Sequence, residues 1–133
     1  MQQGIDRSLS LTLFYERINK MTYIELINAF EIWLETNYLP VPSQLLWYKL
    51  IRLFNRCGWA EWISVENQTL MSVMKIKREA TFIEVRNKLL DAKFFEYKKG
   101  KKGSPNQYKI NTDVFESINS SKKRSKNSSK KRS

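Results

Sequence analysis

The sequence predicts a mainly α-helical chain with a small β-hairpin, an α+β arrangement of about four helices and two to three strands. Apolar residues recur at three- and four-residue spacing in four segments between residues 23 and 92. Two β-rich runs flank a Gly- and Lys-rich stretch at residues 99–106. Pro or Gly stands at several of the joints between segments. With 133 residues, 41% of them hydrophobic, the chain is long enough for one modest core without disulfide or metal.

Residues 1–20 show little regularity beyond an apolar patch of Leu9, Leu11, Leu13 and Phe14, and are expected to be a non-core leader. Met21 marks the expected structural start. Thr22-Tyr23-Ile24-Glu25 fits the capping box, in which the Thr hydroxyl and Glu carboxylate satisfy backbone donors at a helix start. Ile24, Ile27, Phe30 and Leu34 then share a face, with Trp33 beside them, predicting an amphipathic helix of about thirteen residues. Pro40 and Pro42 interrupt the chain, and Ser43 is the expected cap of the next helix. There Leu45, Leu46, Leu50, Ile51, Leu53 and Phe54 cover more than one face, predicting the most buried helix, ended by a left-handed Gly58. The lone Cys57 falls within this pattern and reads as a small core residue in a reducing compartment. Trp59–Val65 follows as a short strand or extended link. Trp33, Trp47, Tyr48, Trp59 and Trp62 are expected to pack within the fold rather than to stack on bases.

Two helical segments come next, about Asn67–Met74 with Leu70, Met71 and Val73, and about Arg78–Ala92 with Phe82, Val85 and Leu89 on one face. Two short helices with a tight link form the helix-turn-helix pattern, in which the second helix offers its N-terminal half to the major groove of DNA. Lys75, Lys77, Arg78, Thr81 and Lys88 are the candidate contacts here, although Glu79 and Glu84 suit a phosphate-facing helix less well. Phe94–Lys98 and Gln107–Ile110 then read as strands joined by the basic tip Lys99–Asn106. Directly after a helix-turn-helix, such a hairpin is a wing, so the expected fold is a winged helix-turn-helix. Lys98, Lys99, Lys101, Lys102 and Lys109, with no acid between residues 98 and 109, are candidate phosphate contacts, and Asn106 is a further DNA candidate. Phe94 and Phe95 cannot both point inward on one strand, so one is expected on a self-association surface.

The net charge is +11, and its distribution gives it meaning. Lys122, Lys123, Arg124, Lys126, Lys130, Lys131 and Arg132 crowd the C-terminus, while every acidic residue precedes residue 120. A tail of Ser, Asn, Lys and Arg cannot bury apolar surface and is expected to be disordered, attracting polyanions by counterion release. The expected organisation is therefore a leader (1–20), a DNA-binding domain (21–112) and a basic tail (113–133). The chain has no histidine, which excludes Cys-His and Ser-His nucleophile pairs and His-containing zinc sites. No acidic pair stands in a recognisable catalytic frame, so neither an enzyme nor a cofactor is expected. No apolar run approaches the roughly 20 residues that span a bilayer, and no signal peptide is recognisable, predicting a cytoplasmic protein without a membrane partner.

Several stretches carry a family resemblance. They are Ile27-Asn28-Ala29-Phe30 with Trp33-Leu34, Leu46-Trp47-Tyr48-Lys49-Leu50, Gly58-Trp59-Ala60-Glu61-Trp62, Leu70-Met71-Ser72, Arg86-Asn87-Lys88-Leu89, and the hairpin Tyr97–Ile110. In order and spacing, over residues 21–112, they resemble the N-terminal domain of phage replisome organisers and DnaD-like replication-initiation proteins. The resemblance implies a winged helix acting in replication initiation in a bacterial host cell, binding DNA, often self-associating, and working with replisome or helicase-loading proteins. That family usually adds a helical C-terminal domain, in whose place this chain has its basic tail. It also tends to carry serines where Lys77-Arg78 stand. Duplex DNA is the expected partner ahead of single-stranded DNA, with a homo-oligomer a further expectation. The alternatives are a transcriptional regulator on the same scaffold and an oligomerisation module whose DNA binding is incidental.

Overall fold

The computed structural model describes residues 23–118, so the leader, Met21, the Thr22 cap and the lysine-rich end beyond residue 118 lie outside the described residues. The elements run α1 (Tyr23–Thr36), α2 (Val41–Arg56), β1 (Ile63–Val65), α3 (Asn67–Met74), α4 (Glu79–Asp91), β2 (Phe95–Lys98) and β3 (Asn106–Ile110). A last helical stretch, α5, covers residues 112–118. The strands form one antiparallel sheet in the order β1-β3-β2. The mainly helical α+β expectation holds. Among the described residues no helix is long and apolar enough to cross a membrane.

The helix ends show how the backbone donors and acceptors are satisfied. Helix α2 starts one turn earlier than a Ser43 cap requires, because Pro40 provides the extended residue before it and its carbonyl accepts from Ser43 N (2.9 Å) and Gln44 N (3.0 Å). Ser43 is therefore not the cap. It is buried, and its hydroxyl donates across the core to the Val85 carbonyl of α4 (2.9 Å). At the other end, Gly58 is left-handed (φ 67°) as expected. Trp59 N donates to Phe54 O and Gly58 N to Asn55 O, the paired bonds of a Schellman motif. Cys57 turns outward at this terminus. It is exposed, not a core residue, because the chain leaves the helical stripe there.

Helix α3 ends in the same motif, with Ile76 N on Met71 O and Lys75 N on Ser72 O. Here the left-handed position holds Lys75 (φ 60°), whose Cβ disfavours that conformation. Replacing Lys75 by Gly is expected to raise the unfolding free energy by about 1 kcal/mol, measured by urea denaturation.

The core lies where α1, α2, α4 and the sheet meet. Phe30 stacks on Trp47 at a centroid distance of 4.0 Å, and Phe94 meets Phe30 (5.3 Å), Trp33 (5.0 Å) and Phe115 (5.2 Å) edge-on or tilted. Two expectations fail in this cluster. Phe94 and Phe95 are both buried, because Phe94 precedes β2 and follows a left-handed Lys93 (φ 69°), so strand alternation does not govern the pair. Neither supplies a self-association surface. The folded part also runs past residue 112: α5 places a fully buried Phe115 against Trp47 and Phe94, with Val114 and Ile118 packed beside it.

Candidate nucleic-acid interface

Helix α4 divides its residues by helical spacing. Phe82, Val85 and Leu89 are buried, while Ala80, Thr81, Glu84, Asn87, Lys88 and Asp91 form an exposed stripe. The four-residue link before it, Lys75 to Arg78, exposes Lys75, Lys77 and Arg78 around a half-buried Ile76. The exposed stripe carries two acids and one base, so the concentrated positive charge lies in the link, not along the helix.

The hairpin divides its lysines in the same way. Strand pairing sets Glu96 opposite Lys109 and Lys98 opposite Gln107 on the outer face, with Tyr97 opposite Tyr108 on the inner face. On the outer face Lys109 Nζ lies 3.3 Å from Glu61 and 3.7 Å from Glu96, and 5.8 Å from the Trp62 ring. Lys98 Nζ sits 4.1 Å over the same ring. Lys109 is therefore neutralised in place. Lys99, Lys101 and Lys102 extend beyond the paired strands, exposed and without an ion pair among the described residues. A Cβ on Gly100 would fall 2.1 Å from the Ser104 carbonyl oxygen, so only glycine lets the two limbs of the tip meet. Gly103 turns the tip with φ 85°.

Asn106 does not offer its side chain to solvent as a DNA contact requires. Its Oδ1 accepts from Gly100 N (2.8 Å) and its Nδ2 donates to Asn67 Oδ1 (3.0 Å), so both ends of the amide are engaged. The structure thus brings Lys75, Lys77, Arg78 and Thr81 together around the α3–α4 link, and groups Lys99, Lys101 and Lys102 on the hairpin tip. Lys88 stands further along α4. The seven basic tail candidates lie outside the described residues.

Arg86, for which the sequence predicts no role of its own, is only 8% exposed. Its guanidinium lies 4.6 Å over Tyr97, and Nη1 donates to Asn67 Oδ1 (3.3 Å). The signal was there in the spacing: Arg86 stands four residues after Phe82 and three before Leu89, inside the apolar stripe. Beside it, burial pushes the Tyr108 hydroxyl up to about 12, with the Arg86 charge opposing. Burial, joined by the hydrogen bond to Glu31, raises Tyr48 in the same direction, also to about 12. The unfolded chain releases these protons near pH 10, while the folded chain keeps them until about 12. The contribution of these two hydroxyls to stability is therefore full below pH 10 and lost as pH rises toward 12. Melting temperatures across pH 8–12 are expected to fall less steeply for Tyr108→Phe than for the wild type.

No protein-family model, no curated protein and no solved structure matches this chain.

Proposed function

We propose that the protein is a non-catalytic DNA-binding protein of the winged helix-turn-helix type. The observation that carries this reading is the basic hairpin tip, Lys99, Lys101 and Lys102, without an ion pair among the described residues and following on two helices joined by a link bearing Lys75, Lys77 and Arg78. The link and Thr81 approach the groove, and the tip neutralises phosphates. Lys109 and Asn106 take no direct part, since both are engaged within the fold. The tail lysines and arginines add affinity without sequence preference.

The resemblance to phage replisome organisers supports replication initiation as the biological setting, with duplex DNA as ligand, replisome proteins as further partners and the bacterial cytoplasm as the place. The exposed Tyr38, Val41 and Leu45, the last two one helical turn apart on α2, favour self-association as a second property.

Fluorescence anisotropy of labelled duplex and single-stranded DNA, across a salt series, tests the proposal. The full chain and a chain ending at residue 118 are compared. Salt-sensitive duplex binding by the shorter chain supports the reading. Binding by the full chain alone assigns the affinity to the tail and leaves the fold as a protein-interaction module. In that case, light scattering on the shorter chain shows whether it forms an oligomer.

A further inference from the structure

An arginine inside an apolar stripe needs a reason, because a buried guanidinium without a carboxylate is costly. Among the described residues no carboxylate reaches Arg86, since the ion pairs there belong to Lys109. Its charge rests instead on the Tyr97 ring and on Asn67 Oδ1. Asn67 is the first residue of α3, and the same Oδ1 accepts from Asn106 Nδ2. Asn106 opens β3, and its Oδ1 holds the Gly100 amide. A continuous run of hydrogen bonds thus leads from the middle of α4, through the start of α3, to the point where the hairpin limbs touch. The next two residues are Lys101 and Lys102.

We infer that Arg86 and Asn67 are positioning residues for the hairpin tip, fixing through Asn106 and Gly100 the direction in which Lys101 and Lys102 leave the sheet. Two strands held only by their ladder leave a lysine-rich tip free to sample many orientations. A tip fixed from its base presents its charges at a set distance from α4, and less ordering is left to be done on binding. The inference rests on the DNA-binding reading for its consequence, but the link to Gly100 stands independently of any ligand.

Asn67→Ala and Asn67→Asp in the full chain separate the possibilities. Asn67→Ala removes the shared acceptor, whereas Asn67→Asp keeps it and gives Arg86 a charged partner at a helix start, where a carboxylate is favoured. Arg86→Ala is the more direct change but risks the fold, so the Asn67 pair carries the test. Amide hydrogen exchange followed by NMR is expected to speed up at Gly100 by roughly tenfold in Asn67→Ala and to stay near wild type in Asn67→Asp. Duplex affinity is expected to fall about fivefold in Asn67→Ala, and this loss is expected to vanish when Lys101 and Lys102 are already alanine. A defect confined to stability does not depend on those two lysines.

Unchanged Gly100 exchange in Asn67→Ala overturns the inference whatever the DNA result. Faster exchange with an affinity loss that persists without the two lysines also overturns it, by removing the tip from the effect. If the wild-type chain binds no DNA, the proposed function fails. The comparison of alanine and aspartate at Gly100 still decides whether the tip is held from Asn67.

Discussion

Reversing the two tip charges, Lys101→Glu with Lys102→Glu, is expected to lower duplex affinity on the order of fifty-fold at 0.1 M salt. Each lost phosphate contact removes nearly one unit from the salt slope, so the plot of log affinity against log salt is expected to flatten by roughly 1.8 units. Both lysines are exposed and free of ion pairs among the described residues, so their full charge is available to a phosphate. Lys109→Ala provides the contrast. Its ammonium already faces Glu61 and Glu96, and the salt slope is expected to stay as in the wild type. Anisotropy titrations at four or five salt concentrations check both. An unaltered slope in the double reversal removes the hairpin from the interface.

Phe115→Ala is expected to lower the unfolding free energy by about 3–5 kcal/mol. The side chain is fully buried between Trp47 and Phe94, so its removal forfeits the ring's burial and leaves a cavity among closely packed rings. For a small domain this is a large share of a total stability of roughly 5–15 kcal/mol, and a melting temperature lower by on the order of 15–30 °C follows. Ending the chain at residue 112 removes the same ring and is expected to be at least as damaging. Urea denaturation monitored by Trp fluorescence checks this. A loss under about 1 kcal/mol places Phe115 outside the cooperative core.

Much of the fold was legible because local rules agree with it. The stripe of Phe82, Val85 and Leu89, the left-handed Gly58 and the glycines between two β runs each specify their own element without reference to the rest of the chain. The limits of α3, Asn67–Met74, follow from a short apolar periodicity bounded by a turn. At the candidate site, composition alone located the lysines of the link and the tip. It could not tell Lys109 from Lys101, since both lie in one acid-free run while the neutralising Glu61 is far away in sequence.

The order and kind of the elements, and the concentration of positive charge on the link, the hairpin and the tail, are written in the local sequence. Those properties depend on neighbours within a few residues, and helix and strand periods expose them. The tertiary structure alone decided which polar groups are already engaged. Ser43 caps no helix because α2 already begins at Val41, and its hydroxyl donates to the Val85 carbonyl instead; Asn106 is held between Gly100 and Asn67, and Phe115 belongs to the core although it follows the last strand. Each of these turns on a partner brought close only by packing. A hydrogen bond or a buried ring is set by distance in space, which spacing along the chain does not encode.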